Sequence, residues 1–261
     1  MTRPLTWAVV PVKSLTDAKS RLADVLNDRA RQHLVLAMLE DLLAVLHKIS
    51  AIDQVLIVTN DARSMELAQR YNALILPEPT SAGLNLAVLH AANYLDEHQV
   101  ARMLVLPADI PFAQADEIRE LVSESDTQPN QASSVTLVSD QAGVGTNAMM
   151  LTPPDGMTPM YGENSFKRHT EYASELGLNP VLASVPSVGL DIDTPDDLLS
   201  LLVGRERLAE QSCTRAWVDE HFDYLTAKLA YKSPSTRPNE SLKESKNQSV
   251  SKHTIRREHA L

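Results

Sequence analysis

Short apolar runs alternate with segments in which apolar residues recur at three- and four-residue steps. Six runs have the composition of strands, at residues 5–12, 54–60, 73–78, 102–109, 133–140 and 146–153. The clearest helical segment is 28–49, where Leu34, Met38, Leu42, Val45 and Ile49 fall on one face. This alternation predicts right-handed βαβ crossovers. The expected fold is therefore α/β, with a single doubly wound, mostly parallel sheet flanked by helices.

The pattern changes toward the end of the chain. We expect residues 1–205 to form one domain and residues 206–231 a C-terminal helical extension. That extension would pack either on the domain or on a second copy of the chain, which would make a homodimer. Residues 232–261 are polar and charged with few apolar side chains, so they predict a disordered tail.

Composition and charge narrow the class of protein. Apolar residues make up 43% of the 261 residues and charged residues 22%, as in ordinary globular proteins. A net charge of −10 argues against nucleic acid as a partner. The single cysteine, Cys213, cannot form a disulfide within the chain. No apolar run approaches the roughly 20 residues of a membrane span, so we expect no membrane partner and a cytoplasmic protein.

Ligands of such sheets bind beyond the carboxyl ends of the strands, so the residues after each strand carry the functional prediction. After the first strand, the segment PVKSLTDAKSRL presents Lys13, Lys19 and Arg21. Three cations at this point suit a polyphosphate, although an ordinary solvated loop would read the same way. Neither glycine-rich phosphate signature, G-x-G-x-x-G or G-x-x-x-x-G-K-[ST], is present, which disfavours dehydrogenases and P-loop nucleotidases.

Three aspartates in two segments could hold a divalent cation. Asp109 follows the buried fourth run between two prolines, where a simple turn aspartate is the alternative reading. Asp191 and Asp193 flank Ile192 in what reads as a strand, so both carboxylates should share one face. Their mutual repulsion is relieved if a cation lies between them. Carboxylates together with substrate phosphates are the usual ligands of Mg²⁺.

Two further turns carry small and hydroxyl side chains. The segment GVGTNAMML brings Thr146 to the start of a strand, and YGENSFKRH puts Gly162 and Ser165 at a helix start, which is a natural seat for a phosphate or carboxylate. A hairpin and an ordinary helix cap are the alternatives. Gly83 and Asn85 begin another helix that could approach a base or ribose. Among the histidines, His169 is the one that could face a pocket.

Taken together, PVKSLTDAKSRL, GLNLAV, LVLPADIP, GTNAMML, YGENSFKRH and GLDIDTPDDL resemble the CofC/FbiD family of guanylyltransferases. The resemblance spans about residues 5–203, with the motifs in the same order. It implies a fold of the nucleotidyltransferase, glycosyltransferase-A-like type. It also implies transfer of GMP from GTP to a three-carbon phosphorylated acid in coenzyme F420 biosynthesis, with release of pyrophosphate. Family acids are phosphoenolpyruvate, 3-phospho-D-glycerate and 2-phospho-L-lactate.

The resemblance also implies roles for individual residues. Asp109, Asp191 and Asp193 would hold Mg²⁺, and Gly83 and Asn85 would lie near the nucleotide. The phospho-acid would contact Thr146, Gly162 and Ser165, and the GTP phosphates would contact Lys13, Lys19 and Arg21. Tyr161 stands where the family more often has phenylalanine. No general base is required, because a phosphate monoester is already ionised near neutral pH.

Other functions remain open on the sequence. A nucleotidyltransferase for a sugar phosphate or molybdopterin usually has a glycine-rich loop after the first strand, which PVKSLTDAKSRL is not. A glycosyltransferase would keep the aspartates and add a sugar site. A non-catalytic nucleotide-binding protein would have little need for the basic segment, the acidic pair and the acid-binding turns at once.

Overall fold

A computed structural model describes residues 3–79, 83–124 and 133–232. Its strands are β1 (Thr6–Pro11), β2 (Gln54–Val58), β3 (Leu74–Leu76), β4 (Arg102–Val105), β5 (Ser134–Ser139), β6 (Thr146–Thr152) and β7 (Val181–Leu182). Its helices are α1 (Asp28–Leu46), α2 (Ala62–Arg70), α3 (Leu84–Glu97), α4 (Ala115–Glu124), α5 (Ser165–Glu175), α6 (Pro195–Val203) and α7 (Cys213–Lys232). The six predicted strands are confirmed with shorter bounds, and β7 was not predicted.

The strands form one sheet in the order β3-β2-β1-β4-β6-β5-β7. Neighbours pair in parallel except at β6, which runs antiparallel to both β4 and β5. The predicted mostly parallel sheet is therefore confirmed. The reversal of β6 has a consequence for function, because it brings the start of that strand to the edge where the parallel strands end.

The helices cover both faces of the sheet, as in other doubly wound folds. Ala8 and Val10 of β1 point into a core with α1, α2 and α4, whereas Val9 points into a core with α3 and α5. A third apolar cluster joins the far side of α1 to α6, α7 and the segment after β1. The apolar residues of the segment after β1 pack against these helices. The core therefore determines where the polar residues of the segment lie.

Local signals explain where the helices near the sheet edge begin. The Asn27 side chain accepts a hydrogen bond from the Ala30 N–H at 2.9 Å and caps α1. At α6, Thr194 and Asp197 form a reciprocal capping box, with Pro195 in the first turn. The predicted helix start at Thr194 is confirmed.

The predicted strand over Asp191–Asp193 is wrong, because these residues form an extended loop. Only the Ile192 N–H makes a bond typical of a strand, to the Asp109 carbonyl at 3.1 Å. The alternation of side chains still holds. Ile192 is fully buried in the third cluster, and both aspartates are partly exposed. Local extension and one buried contact produced this pattern without a strand partner.

The helical extension packs on the domain. Trp217, Val218 and Leu225 of α7 lie in the third cluster, and the Asp41 carboxylate of α1 accepts hydrogen bonds from the first two N–H groups of α7, both at 2.8 Å. The limits 1–205 and 206–231 and the homodimer stay predictions. The predicted tail lies outside the described residues, apart from the backbone of Lys232. None of the described helices combines the length and hydrophobicity needed to cross a bilayer.

Candidate active site

The predicted site residues gather at one edge of the sheet. Residues 12–27, here called the basic loop, follow β1, and Asp109 lies in the turn after β4. The antiparallel direction of β6 brings Thr146 to the same edge. The loop carrying Asp191 and Asp193 is bonded to Asp109 through the backbone contact of Ile192. Segments distant in the sequence therefore meet at one edge of the sheet.

Lys19 lies between two of the three aspartates. Its ammonium group forms ion pairs with a carboxylate oxygen of Asp109 and, at 2.7 Å, with Oδ1 of Asp193. The Lys19 side chain is 8% exposed and its backbone has φ 54°, in the left-handed region that non-glycine residues rarely adopt. Such strain is characteristic of functional positions. The residue predicted to contact GTP phosphates is thus held by the predicted metal ligands.

The charges of this cluster are strongly coupled. Burial by itself would lower the pKa of Lys19, but the carboxylates of Asp109 and Asp193 outweigh it and raise that pKa to about 12. The pKa of Asp191 is also raised, first by burial and then by the neighbouring Asp109 carboxylate. Three carboxylates share this edge with one ammonium group, so the cluster is negative overall and attracts further positive charge.

The third aspartate is positioned by an amide. The buried Asn147 side chain donates to Asp191 Oδ1 at 3.1 Å and to the carbonyls of Val188 and Gly189 at 2.9 and 3.2 Å. The backbone N–H of Asp193 in turn donates to the Asp197 carboxylate at 3.1 Å. The loop that replaces the predicted strand is therefore fixed by side-chain hydrogen bonds at both aspartates.

The buried Arg31 side chain fixes the backbone of the basic loop. Arg31 of α1 donates from Nε to the Ala18 carbonyl at 3.1 Å and from Nη1 to the Leu26 carbonyl at 3.0 Å. The Tyr224 hydroxyl of α7 donates to the Val25 carbonyl at 2.8 Å. These bonds fix the backbone on both sides of Lys19. Lys13 and Arg21 are exposed, and among the described residues neither forms a hydrogen bond or ion pair.

Thr146, Ser165 and His169 form a second group, the hydroxyl cluster. The Thr146 N–H donates to Ser165 Oγ at 3.0 Å, and Thr146 Oγ1 lies 2.9 Å from Nδ1 of His169. The Gly162 carbonyl accepts from the Ser165 N–H at 3.1 Å, and Gly162 has φ 122°, which favours glycine. The structure therefore brings Thr146, Gly162 and Ser165 together.

Gly83 and Asn85 adjoin this cluster at the start of α3. The Asn85 side chain makes two hydrogen bonds with the backbone of Tyr161, accepting from its N–H at 2.6 Å and donating to its carbonyl at 3.1 Å. Asn85 thus holds the turn that leads to Gly162. Gly83 has φ 144°, and no atom of the described residues lies within 4 Å of the place of a Cβ. The nucleotide contacts of both residues stay predictions.

The carboxylate oxygens suit a magnesium ion chemically. Among the described residues, Oδ1 of Asp109 is buried and has no hydrogen-bond partner. Another oxygen of Asp109 and one of Asp193 both contact the Lys19 ammonium group. Within the described residues, however, no three His, Cys, Asp or Glu side chains are already arranged as an ion cage. Mg²⁺ needs only one or two protein carboxylates when phosphates complete its shell, so these aspartates fit the ion together with a substrate.

Sequence reasoning gave no role to two residues that shape the site. Arg31 lies on the apolar face of α1, three residues before Leu34 and seven before Met38. A cation on such a face signals internal partners. Asn147 is a lone amide in a strand whose other interior residues are apolar, which is a comparable signal.

Several solved structures share this architecture. A protein described as a nucleotide-diphospho-sugar transferase from Desulfovibrio desulfuricans G20 matches with a TM-score of 0.70 at 15% identity, over 87% of this chain and 99% of its own. A 4-diphosphocytidyl-2C-methyl-D-erythritol synthase matches with a TM-score of 0.53 at 13% identity, over 76% and 97%. At these identities the likeness shows the fold, which is the nucleotidyltransferase fold expected from the sequence.

Sequence comparison is more specific. A family model described as "Guanylyl transferase CofC like" matches residues 6–215. A phosphoenolpyruvate guanylyltransferase from Conexibacter woesei is 39% identical over 206 residues, which cover 79% of this chain and 90% of that protein. Another, from Sphaerobacter thermophilus, is 37% identical over 75% of this chain and 92% of its own. The chain belongs to the CofC-like guanylyltransferase family, as its motifs indicated, and is a nucleotidyltransferase.

Proposed function

We propose that this protein transfers GMP from GTP to phosphoenolpyruvate and releases pyrophosphate. The proposal rests mainly on one observation. The Asp109–Lys19–Asp193 ion pairs and the hydroxyl cluster lie at the same edge of the sheet. The names of the two bacterial relatives support phosphoenolpyruvate as the acid. 3-Phospho-D-glycerate and 2-phospho-L-lactate are the alternative acceptors, and the product would enter coenzyme F420 biosynthesis.

In the proposed reaction, a phosphate oxygen of the acid attacks the α-phosphorus of GTP. A bond forms between that oxygen and the α-phosphorus, and the bond from the α-phosphorus to the bridging oxygen of the β-phosphate breaks. Pyrophosphate leaves with the electron pair. The attacking phosphate monoester has its second pKa at about 6 and is already an anion, so it needs no general base. Catalysis then consists mainly of positioning and charge stabilisation.

The side chains divide these tasks between two sides of the site. Lys13 and Arg21 are exposed and can turn toward the triphosphate, whose oxygens they would neutralise. Lys19 offsets the charge of Asp109 and Asp193. Thr146 and Ser165 would bind the acid, with the first turn of α5 behind them. The two substrates would thus bind to different residues of the same sheet edge. This would bring the triphosphate of GTP close to the phosphate of the acid.

Magnesium would be held by Asp109 and Asp193, with Asp191 beside them. When bound, such an ion neutralises charge on phosphate oxygens and helps to orient them. Asn147 would keep the Asp191 carboxylate turned toward its neighbours through their 3.1 Å hydrogen bond.

The test is pyrophosphate release from GTP and Mg²⁺ with phosphoenolpyruvate, 3-phospho-D-glycerate and 2-phospho-L-lactate in parallel. We expect release with phosphoenolpyruvate, at a higher kcat/KM than with the other two acids. Faster release with another acid would replace the acceptor and keep the guanylyltransfer. No release with any acid, despite binding of GTP, would contradict the proposal and favour a non-catalytic nucleotide-binding protein.

A further inference from the structure

Behind the two hydroxyl groups lies a histidine whose ring nitrogens are both engaged. His169 on α5 is fully buried. Its Nδ1 is 2.9 Å from Thr146 Oγ1, and its Nε2 is 2.8 Å from the backbone nitrogen of Met160. Its ring packs against the ring of Tyr161 in a T-shaped arrangement, with 4.9 Å between centroids. His169 therefore connects the start of β6 to the turn that carries Gly162.

These partners determine which nitrogen carries the proton. A backbone N–H can only donate, so Nε2 must accept from Met160 and has no proton of its own. The ring is neutral, because burial and then the positive charge of Arg168 lower the pKa of His169 to about 4. A neutral ring without a proton on Nε2 has it on Nδ1, so Nδ1–H donates to Thr146 Oγ1.

The direction of this hydrogen bond decides what Thr146 can offer to a ligand. Because its oxygen accepts from His169, the proton of its hydroxyl remains available for another acceptor. The same holds for Ser165. Its oxygen accepts from the Thr146 N–H, so its hydroxyl proton is also available for another acceptor. With the other tautomer, the Thr146 proton would be used on Nδ1, and the Met160 N–H would face a second donor. The ionised phosphate and carboxylate groups of an acid can only accept hydrogen bonds from such hydroxyls.

We propose that His169 is a positioning residue that makes Thr146 a hydrogen-bond donor and so prepares the hydroxyl cluster for the anionic groups of the phosphorylated acid. This inference rests on the proposed function, because it assumes that the acid binds at Thr146 and Ser165. His169 acts from behind Thr146 and does not touch the acid. Its effect should therefore fall on binding of the acid and leave binding of GTP unchanged.

Two substitutions separate the two hydrogen bonds of the ring. In His169→Asn, the amide nitrogen can take the place of Nδ1 and keep the donor to Thr146. In His169→Gln, the longer side chain can bring an acceptor to Met160 but leaves no donor at Thr146. We expect the KM for phosphoenolpyruvate to rise up to roughly tenfold in His169→Gln, because nothing then fixes the Thr146 hydroxyl as a donor and its hydrogen bond to the acid is weakened. The increase should be much less in His169→Asn. The KM for GTP should stay constant in both, and His33→Gln on the exposed surface of α1 is the matched control.

A double-mutant cycle tests whether His169 acts through Thr146. Thr146→Val removes the hydroxyl at nearly the same volume and should raise the KM for the acid by itself. On that background His169→Gln should add no further increase, because the hydroxyl it orients is gone. Additive increases, or equal effects of His169→Asn and His169→Gln, would overturn the inference. Thermal unfolding of each variant shows whether a loss of folding explains a change in KM.

Nitrogen NMR of the wild-type protein without substrates reads the tautomer directly. We expect the proton of His169 on Nδ1, with Nε2 unprotonated. A proton on Nε2 in an enzyme that releases pyrophosphate would overturn the role of His169 and leave the proposed function intact. A proton on Nδ1 in a protein that is inactive with all three acids would count against the proposed function instead. The two failures are therefore distinguishable.

Discussion

The basic loop and the hydroxyl cluster lie at the same edge of the sheet but differ in how their side chains are held. In the hydroxyl cluster, Thr146, Ser165 and His169 are buried and bonded to one another. In the basic loop the backbone is fixed by Arg31 and Tyr224, whereas Lys13 and Arg21 extend into solvent. A small acid can be recognised by preformed donors. A flexible triphosphate is better bound by long side chains that can adjust to its conformation.

Lys19 combines features of both regions, because it lies in the basic loop but has a buried, ion-paired side chain. Its backbone belongs to the basic loop, but its ammonium group is buried against Asp109 and Asp193. The carboxylates thus have a cation even without a bound ion, and this cation offsets much of the repulsion expected among them from the sequence. The comparison predicts large effects from the carboxylates and moderate effects on GTP binding from the exposed cations. His169 should affect binding of the acid and stability at acid pH.

The largest effect is expected from Asp193→Asn. Its carboxylate pairs with Lys19, whereas its backbone N–H is bonded to Asp197 and stays so in the variant. Turnover should fall on the order of a hundredfold or more while the fold is retained, because a charge that organises the phosphates is lost. Steady-state kinetics and circular dichroism measure the two quantities. Asp196→Asn, an exposed carboxylate in the first turn of α6, is the control. Undiminished turnover in Asp193→Asn would remove the metal assignment.

The next effect concerns metal binding by the free protein. Lys19→Met removes the ammonium group from the carboxylates, so Mn²⁺ should bind roughly tenfold more tightly or better in the absence of GTP, while turnover falls. Calorimetric titration with the metal alone measures this affinity, and Lys48→Met, at an exposed position just beyond the C-terminal end of α1, is the control. Weaker binding in Lys19→Met would show that the lysine and the ion do not compete for these oxygens.

A smaller effect is expected from the exposed cations. Lys13→Ala and Arg21→Ala should each raise the KM for GTP by up to roughly tenfold, since each removes one charge-assisted contact with a phosphate. The KM for the acid should change little, because the hydroxyl cluster is untouched. Increases in the KM of the acid alone would assign these side chains to the other substrate and break the comparison.

The last prediction concerns stability against pH and leaves catalysis at neutral pH aside. The pKa of His169 is lowered from 6.5 to about 4 in the folded state. As pH falls through this window, the unfolded chain takes up the proton and the folded chain does not, so stability decreases toward acid pH by about 2 to 3 kcal/mol. His169→Asn should lack this part of the slope, and His33→Gln should keep it. Urea unfolding from pH 7 down to pH 4 measures the difference, and identical slopes in wild type and His169→Asn would contradict it.

Much of the fold could be predicted because periodicity and burial are local properties. The six runs became strands, and Thr194, Pro195 and Asp197 marked a helix start correctly. The extended loop at Asp191–Asp193 was mistaken for a strand because one buried isoleucine between two polar residues produces the same pattern. Only a strand partner distinguishes the two cases, and a partner is not visible in local sequence.

The sequence predicted which residues lie at the site better than it predicted how their side chains contact one another. Residues that follow parallel strands, such as Asp109, could be placed at the edge from topology alone. Thr146 begins its strand, and it reaches that edge only because β6 is antiparallel. The ion pairs of Lys19 and the double hydrogen bond of Asn85 depend on side-chain directions across segments far apart in the chain. No spacing rule encodes such contacts.

The central claim is that the two sides of this edge act on two phosphorylated substrates in one reaction. Phosphorus NMR of a mixture of GTP, phosphoenolpyruvate, Mg²⁺ and the protein tests it most directly. The account predicts two mutually coupled phosphorus signals, from a new linkage between the GMP phosphorus and that of the acid, together with free pyrophosphate. Unchanged phosphoenolpyruvate beside hydrolysed or intact GTP would contradict it.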